Sequence, residues 1–430
     1  MAVVMETALL QTVLGQETHT GMDMPGMSQV GGPSMPMQPV SLIDLIEQHS
    51  TAGTDAQPLS VNNAMLMKQK GSWTFMFHGD AFVADVQQTG PRGWDKFFST
   101  NWIMPMAQRK LGRGALTLRT MLSLEPATIS QRRYPELFQQ GETAFGRPIV
   151  DGQHPHDLFM ELAALYDLKI GEKSLVSFYF APMGDLAMGP IAYPHRASAS
   201  EDPMAPLGHH LQDSTHIASD VATIGFTYRN ARVEASGFHG REPDEHRWNI
   251  DPGKLDSWST RLTLEPGANW TLQYSVAQLH SPEALAAGED VRRMTASAMY
   301  NRPLANGSWS SLLLWGRNQS LSDGNVGNSY LLESTLRFFS RNAVWTRIEN
   351  VDRTNELLLG GNALPPGFSE RYFARVRAYT AGYDREVGHI PHISTALGGQ
   401  FTWYGVPDVL RQDYGTHPVS AVLFLRFRVH

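Results

Sequence analysis

The chain has no cysteine among its 430 residues, which excludes disulfides, thiolate metal sites and cysteine nucleophiles. Charged residues make up only 18% of it, against roughly 25% in an average soluble protein. Lysine and arginine form no cluster and the net charge is −7, which argues against a nucleic-acid-binding function. No apolar run approaches the roughly 20 residues that a membrane-spanning helix needs. What remains is a polar chain with 10% aromatic residues, whose fold must be sought in shorter patterns.

From Trp73 to the C-terminus, apolar and polar residues alternate with the period of a β-strand. In "ALTLRTMLSLE", Leu116 and Leu118 point one way while Thr117 and Arg119 point the other. Many such runs have about ten residues, the length with which a tilted strand crosses a bilayer. Tight turns such as "EPGAN" alternate with long polar loops such as "DRTNELLLGGNALPPGFSE". The pattern predicts an all-β protein, a transmembrane antiparallel β-barrel in the bacterial outer membrane with its short turns in the periplasm.

We predict about sixteen strands, because outer-membrane barrels have an even number of strands. The strands are expected to begin near residues 73, 97, 114, 172, 186, 217, 231, 256, 269, 291, 307, 328, 342, 370, 393 and 417. The fifth, "DLAMGPIA", has the weakest pattern and is kept for parity. The last, "HPVSAVLFLRFRVH", resembles the closing strand of outer-membrane barrels. A soluble propeller or sandwich array is the alternative, but it should show a repeat of about 40 to 50 residues or linkers.

We expect two regions: a flexible methionine-rich lead over residues 1–58, whose start is a possible signal remnant, and a barrel over residues 59–430. Within the lead, "SLIDLIEQHS" (41–50) predicts one short helix, with Ser41 as its cap and an apolar face. A second short helix is expected after Asp157 in the long loop that follows the third strand. Leu158, Leu162 and Leu165 would form its apolar stripe.

Two histidine-rich segments are candidates for metal binding, because imidazole and carboxylate groups are the usual ligands of divalent transition metals. The first offers His154 and His156, with Asp157 as ligand or orienting group. The second segment runs from residue 192 to 216, and its candidate ligands are His195, His209, His210, Asp213 and His216. In both cases the alternative is structural, with the side chains capping a helix or hydrogen-bonding the barrel wall and loop backbone.

A third segment, "FHGREPDEHRW", carries mixed charges where a strand enters a loop. The candidates for a constriction that selects solutes by charge are Arg241, Glu242, Asp244, Glu245 and His246. A solvated loop of paired charges is the alternative.

Enzymatic activity is not expected, although one arrangement keeps a rim hydrolase open as an alternative. In "HRAS", His195 stands three residues from Ser198, and Asp202 or Glu201 could orient the histidine. The chain has no G-x-S-x-G, S-x-x-K or P-loop motif.

The lead segment "HTGMDMPGMSQVGGPSMPMQPV" is too rich in glycine and proline to form a regular element. Its methionines are Met22, Met24, Met27, Met35 and Met37. Thioethers are soft ligands that select Cu(I) and Ag(I). The segment therefore suggests capture of a soft ion, and the alternative is a disordered lead whose methionines bind nothing.

Two resemblances to known families bear on function. From about residue 60 onward the chain resembles a family of uncharacterised bacterial outer-membrane barrel proteins, in "DKFFSTNWIMPMAQR", "GQHPHDLFMELAALYDL", "YPHRASASEDPMAPLGHH" and "SGFHGREPDEHRW". A methionine- and histidine-rich lead before a barrel is distantly similar to the B-type copper-resistance outer-membrane proteins. That second resemblance implies a role in copper handling.

These observations together favour a porin-like channel or solute-binding barrel, with copper or silver handling as a further hypothesis. A rim hydrolase and a purely structural barrel are the alternatives. The expected partners are outer-membrane lipid and lipopolysaccharide and small solutes or metal ions, without nucleic acid, and the chain would be a monomer or trimer. No cofactor is assigned with certainty. The candidates are Cu(I), Ag(I) or another metal, which would be divalent.

Overall fold

The computed structural model of the protein describes residues 38–429 and shows a closed barrel of sixteen antiparallel strands. Each strand pairs with its neighbours in sequence, and the last strand pairs with the first, Ala84 opposite Phe424, to close the ring. The strands are β1 Trp73–Gln88, β2 Lys96–Leu111, β3 Gly114–Leu122, β4 Phe159–Gly171, β5 Ser174–Gly184, β6 Ala218–Tyr228, β7 Ala231–His239, β8 Ser257–Gly267, β9 Trp270–Leu279, β10 Val291–Leu304, β11 Gly307–Ser320, β12 Val326–Phe338, β13 Asn342–Thr354, β14 Tyr372–Ile390, β15 Ile393–Gly405 and β16 Val419–Val429.

Helices and small hairpins are confined to the loops and to the segment before the barrel. The α-helices are α1 Leu42–Gln48, α2 Glu125–Thr128, α3 His209–Gln212 and α4 Arg411–Tyr414, and the 3-10 turns are Ser130–Arg132, Tyr193–His195, Ser214–His216, Ala284–Ala286, Asn355–Leu359 and Asp408–Leu410. The extra strand pieces are Leu66–Lys70, Tyr134–Pro135, Glu142–Ala144, Arg147–Ile149 and Gly152–Gln153. Within residues 38–429, no helix has both the length and the apolar character needed to cross a membrane.

The predicted fold class is confirmed, and fifteen of the sixteen predicted strand starts lie within two residues of an observed start. The fifth strand is wrong, because "DLAMGPIA" is an irregular, buried segment. The true additional strand is β4, where we expected a helix. Leu162 faces outward and is 38% exposed, whereas Leu165 faces the lumen and is buried. The leucines mimicked a helical stripe because Leu162 and Leu165 are three residues apart, and the apolar run Leu162–Leu165 occupies both faces of the strand, which hides the period of two.

Turn and loop lengths alternate along the chain as predicted. Two- or three-residue turns such as 112–113, 229–230 and 305–306 join strands at one end of the barrel, which we call the turn end. The other end, the loop end, carries the long segments 123–158 and 185–217. In outer-membrane barrels the short turns lie in the periplasm and the long loops outside.

The two faces of the barrel wall differ in chemistry. The outward-facing side chains are apolar and aromatic, for example Trp258, Trp270 and Phe401, which are between 45% and 50% exposed. The lumen-facing positions of the same region carry polar groups such as Thr295 and Arg232, both buried. Apolar outside and polar inside is the pattern of a strand wall surrounded by lipid.

The described part of the predicted lead packs inside the barrel. As predicted, α1 begins after the cap Ser41, whose hydroxyl accepts a hydrogen bond from the backbone N–H of Asp44 at 3.2 Å. Every residue of 49–58 is buried. The imidazole Nε2 of His49 lies 2.6 Å from Asp167 Oδ2 on the wall strand β4. The packed body of the protein therefore begins before residue 58.

One lumen-facing arginine holds this amino-terminal segment in place. The Arg119 guanidinium pairs with Glu161 at 2.6 Å and donates hydrogen bonds to the backbone carbonyls of His49, Thr51 and Gly53. The carboxylate of Glu161 in turn accepts the backbone N–H of Gly53 at 3.0 Å. We call residues 41–58 the plug segment.

The 185–217 loop also folds into the lumen, where nearly all of it is buried. Its Arg196 is fully buried and pairs with Glu333 on β12 at 3.0 Å and with Asp213 of the same loop at 2.5 Å. Glu333 also pairs with Arg347 on β13 at 3.2 Å. The loop and the plug segment therefore fill much of the space inside the barrel, tied to its wall by buried ion pairs.

Placing a charge on the outward face should destabilise the barrel in lipid. Ile224 lies midway along β6 and is 53% exposed, so Ile224→Arg should cost about 2–4 kcal/mol of unfolding free energy. Urea titration in lipid vesicles measures this cost. The control Asn230→Arg, in the exposed turn after β6, should cost at most about 1 kcal/mol. Equal effects at both positions would contradict the assignment of the outward face.

Removing the arginine that holds the plug segment should release it. Arg119→Leu leaves Glu161 buried without its partner, a change that typically costs about 3–5 kcal/mol. Limited proteolysis of the reconstituted protein should then cut within residues 49–58. Arg113→Leu, in the exposed turn before β3, is the control and should leave this segment protected. A segment equally resistant in both variants would contradict the anchoring role of Arg119.

Candidate functional site

Three side chains from different parts of the loop end converge on one point. Glu142 begins the first strand of a small hairpin, His154 follows the piece Gly152–Gln153, and His210 lies in α3. One potential ligand atom from each lies within 4.8 Å of the other two. The His154 Nε2 and Glu142 Oε1 atoms are 3.0 Å apart. We call this group the outer site.

Burial and neighbouring groups determine the protonation states of Glu142 and His210 in the outer site. Burial alone would raise the pKa of Glu142, but His154 and Arg247 hold it well below its usual range. Arg247 lies 3.2 Å from the second carboxylate oxygen. Burial, with nearby His209, lowers the pKa of His210 well below the usual value. Glu142 is thus a carboxylate and His210 a neutral imidazole, which are the forms that bind metals.

The second nitrogen of His154 determines which atom faces the site. Its Nδ1 lies 2.9 Å from the carbonyl oxygen of Pro155, and a carbonyl only accepts, so Nδ1 carries a proton. Nε2 therefore meets the Glu142 carboxylate either as an imidazolium N–H or, unprotonated, with a cation between them. Such an outer hydrogen bond on a ligating histidine is typical of metal sites.

Further imidazoles form a row of neighbouring rings that begins at the outer site. The ring centroids of His154 and His210 are 5.8 Å apart, and those of His210 and His209 are 5.2 Å apart. His209 lies 5.2 Å from His216, which lies 5.4 Å from His156. We call these five residues the histidine row.

Each inner member of the row is oriented by a hydrogen bond at Nδ1. His209 Nδ1 lies 2.7 Å from Asp213 Oδ1, and His216 Nδ1 donates to the Asp213 carbonyl at 2.7 Å. His156 Nδ1 lies 3.0 Å from Glu125 Oε2. Among the described residues, the Nε2 atoms of His156 and His216 are buried without a hydrogen-bond partner.

Asp213 is the charged centre of this arrangement. Burial opposes its ionisation, but Arg196 and His209 lower its pKa below the usual range. Burial, together with His209, lowers the pKa of His216 well below its usual value. Burial likewise lowers the pKa of His209, although Asp213 acts against the shift. Burial thus favours the neutral form of His209, His210 and His216. It also acts to lower the pKa of His156, but the pairing with Glu125 raises that pKa above its usual value.

Two side chains that the sequence suggested as metal ligands, Asp157 and His195, have other contacts in the structure. Asp157 lies 3.4 Å from Arg247 and belongs to the ion pairs that support the outer site. The structure separates His195 from the row. Its Nε2 lies 3.3 Å from the sulfur of Met121, and its ring packs on Trp102 with centroids 4.3 Å apart.

The arrangement considered for a hydrolase does not assemble among the described residues. The Ser198 hydroxyl donates to Glu333 Oε2 at 3.2 Å rather than to His195. Asp202 pairs with Arg347 at 3.1 Å and accepts the backbone N–H of Met204 at 2.9 Å. Glu201 pairs with Arg428 at 3.0 Å.

The predicted loop charges line a pocket at the loop end, next to Glu142. The pocket has a volume of about 190 Å³. Its charged lining residues are Glu142, Arg241, Glu242, Asp244, Glu245, Glu283, Glu289, Glu356 and Glu370. We call it the acidic pocket. His246 stands beside it, exposed, 3.1 Å from Asp244.

Crowding of carboxylates alters the protonation of the acidic pocket. Burial, together with Glu142, raises the pKa of Glu242 to about 8. Burial also raises the pKa of Glu283, Glu356 and Glu370, and neighbouring carboxylates add to it. The carboxyl groups of this pocket therefore disfavour one another's ionisation, and a bound cation would compensate the same charges.

Sequence reasoning found His154 and His210 but missed Glu142 and Glu125. Both glutamates lie in the 123–158 loop without a motif around them, and only the folding of two loops brings them to the histidines. The candidate ligands Met22, Met24, Met27, Met35 and Met37 lie outside the described residues, so soft-ion capture by the lead stays a prediction.

Comparison with known proteins defines the class of fold. No protein-family model and no curated protein matches the chain. Among solved structures, it is similar to an anion-selective porin from Comamonas acidovorans at a TM-score of 0.51 and 11% identity, covering 83% of this chain and 99% of the porin. It is also similar to OprB of Pseudomonas putida, at a TM-score of 0.50 and 8% identity, covering 83% and 94%.

The chain is a sixteen-stranded outer-membrane β-barrel with the fold of the bacterial porins. At these sequence identities the similarity concerns the barrel fold alone and does not indicate which solute or ion the protein binds. The resemblance to the copper-resistance barrels stays a prediction.

Proposed function

We propose that this protein is an outer-membrane barrel that binds a divalent transition-metal ion at Glu142, His154 and His210. The observation that carries the proposal is the convergence of their three ligand atoms within 4.8 Å. The three side chains come from separate loop elements, so their meeting is a product of the tertiary fold.

The ligand set indicates the kind of ion. Two imidazoles and one carboxylate suit Zn²⁺, Cu²⁺ or Ni²⁺, whereas Mg²⁺ and Ca²⁺ prefer oxygen ligands alone. Three protein ligands leave a coordination position for water or for a further ligand. The unpartnered Nε2 of His216, whose pKa burial lowers, offers a further neutral ligand of the same type near the outer site.

The acidic pocket supports the proposal because it borders the outer site on the loop side. Eight carboxyl groups and one guanidinium line it. A cleft lined by one sign of charge raises the local concentration of counter-ions. Glu142 belongs to both the pocket and the outer site, so an ion that enters the pocket meets the first ligand there.

Diffusion of small solutes through an open pore is the second candidate function. The porin fold and the polar lumen wall favour it. The burial of the plug segment and of the 185–217 loop inside the barrel weighs against an open pore. Under our proposal the barrel is closed at rest.

Copper or silver handling by the lead is a finer part of the proposal. The five lead methionines are thioethers, which select Cu(I) and Ag(I), whereas the outer site has the harder ligands of divalent ions. The lead and the outer site would therefore bind different ions.

Metal titration tests the outer site. Purified full-length protein in detergent should bind about one equivalent of Zn²⁺ or Ni²⁺ that Glu142→Gln and His154→Ala each weaken. Loss of a supporting partner alone commonly costs about 10–100-fold in metal affinity, and loss of a ligand should cost at least that. Calorimetry or a chelator competition gives the affinity.

His246→Ala serves as the matched control, because this exposed histidine borders the acidic pocket but lies outside the outer site. It should bind the ion as tightly as the unmodified protein. The proposal fails if the unmodified protein binds no divalent ion, or if the control loses as much affinity as the ligand variants.

Conductance measurements separate the closed barrel from the open pore. In planar bilayers the unmodified protein should conduct little at low voltage, and Arg119→Leu should raise the single-channel conductance by releasing the plug segment. Arg113→Leu should behave as the unmodified protein. A large, stable conductance from the unmodified protein would favour the diffusion porin instead.

A further inference from the structure

A second group of metal-ligating side chains lies in the lumen, nearer the turn end. Met76 and His78 project inward from β1, and Met104 and Met106 project inward from β2. In the antiparallel register Met76 is directly opposite Met106, and His78 is directly opposite Met104. Side chains at such paired positions are neighbours on one face of a sheet.

The same group continues onto β3. Met121 of β3 is buried, and it lies between the paired positions Ile103–Leu122 and Met106–Arg119. That register places it beside Met104. The row His78, Met104 and Met121 therefore crosses three adjacent strands at one level of the lumen.

The 185–217 loop adds an imidazole to this row from inside the barrel. His195 Nε2 lies 3.3 Å from the Met121 sulfur, and its ring centroid lies 5.8 Å from that of His78. Trp102 packs against both rings, with centroids 4.3 Å from His195 and 5.1 Å from His78. The imidazoles of His78 and His195 and the thioethers of Met104 and Met121 therefore lie close together. The indole of Trp102 packs against the two imidazoles.

Methionine is unusually frequent around this point of the lumen. The cluster around this point contains Met65, Met67, Met76, Met104, Met106, Met121, Met160 and Met183. These are eight of the twelve methionines in residues 38–429. The cluster contains no leucine, whereas a second lumen cluster has three leucines, Leu312, Leu314 and Leu331, and one methionine, Met299. Methionine is normally a sparing gap-filler in a core.

An unpartnered ring nitrogen points to a missing ligand. His78 is only 8% exposed, and its Nε2 is buried without a hydrogen-bond partner among the described residues. His78, Trp102 and His195 line a cavity of about 780 Å³ that reaches the turn end between Ala268 and Leu304. The cavity gives an ion a route to these side chains.

The charges around the group favour an ion of low charge. Arg119 is neutralised by Glu161 at 2.6 Å, and Asp80 by Arg428 at 2.6 Å. The ligand atoms themselves are neutral. A divalent ion would therefore be buried with no anionic ligand, whereas a monovalent soft ion is matched by thioethers and imidazoles.

We propose that His78, Met104, Met121 and His195 form a binding site for a monovalent soft ion, Cu(I) or Ag(I), with Met76 and Met106 beside it. We call it the inner site. The ion enters from the cavity at the turn end. The first described residues, Gln38 and Pro39, also line this cavity. The inner site does not rest on the outer site, because the two share no ligand.

Silver titration of the full chain in detergent, in nitrate buffer free of chloride, tests the inner site. The comparison is made in a background where Met22, Met24, Met27, Met35 and Met37 are all leucine, so that the lead contributes no thioether. In that background the protein should bind one Ag⁺ tightly. Adding Met104→Leu and Met121→Leu should weaken this binding at least about tenfold. Leucine for methionine is a volume-conserving change that cores tolerate.

The matched control carries Met204→Leu and Met299→Leu, two buried methionines that lie outside the cluster. It should bind Ag⁺ as the background does, and heat-modifiable gel migration should show that all variants are folded. The inner site is overturned if the Met104 and Met121 changes leave Ag⁺ affinity intact, or if the control loses as much.

X-ray absorption of the Cu(I)-loaded background protein identifies the ligands directly. Both sulfur and imidazole-nitrogen scattering are expected, and His195→Gln should reduce the nitrogen part. A spectrum without sulfur neighbours would overturn the inner site. Zn²⁺ titration of the Met104 and Met121 variant should match the unmodified protein, so failure of the outer site and failure of the inner site are read separately.

Discussion

The pairing of Arg119 with Glu161 is the interaction on which the interior of this barrel depends. A guanidinium buried in the lumen needs a carboxylate partner and acceptors for its remaining N–H groups. Glu161 supplies the first, and the carbonyls of His49, Thr51 and Gly53 supply the second. The arginine thus selects one position for the plug segment, which lies buried against ionisable groups of the lumen wall.

Burial in the lumen restricts both the orientation and the protonation of the histidine side chains. In an open pore, water would satisfy each imidazole, and neither their orientation nor their protonation would be specific. Here burial keeps His209, His210 and His216 neutral, and the hydrogen bonds of Asp213 orient two of the rings. Under the proposed function, the same packing that fills part of the lumen also prepares the ligands of the metal.

The strands of the barrel wall could be predicted from the sequence, but the packing of segments and side chains inside the lumen could not. Strand periods and turn lengths are local, so the strand number and most strand starts follow from them. β4 was missed because Leu158, Leu162 and Leu165 have the spacing of a helical stripe, whereas in the strand Leu162 and Leu165 lie on opposite faces. The outer site needed Glu142, which only tertiary packing brings to His154. Likewise Met104 and Met121 sit at ordinary inward positions of two strands, and their proximity depends on register and on His195 arriving from a distant loop.

The two proposed sites differ in hardness, and this difference limits how they can work together. A carboxylate with two imidazoles favours a divalent ion, whereas thioethers with imidazoles favour a monovalent one. One ion in one oxidation state would not be held equally well by both. The chain has no cysteine and so no thiol that could reduce Cu²⁺ on the way inward. The two proposed sites would therefore bind different ions, the outer site at the loop end and the inner site nearer the turn end.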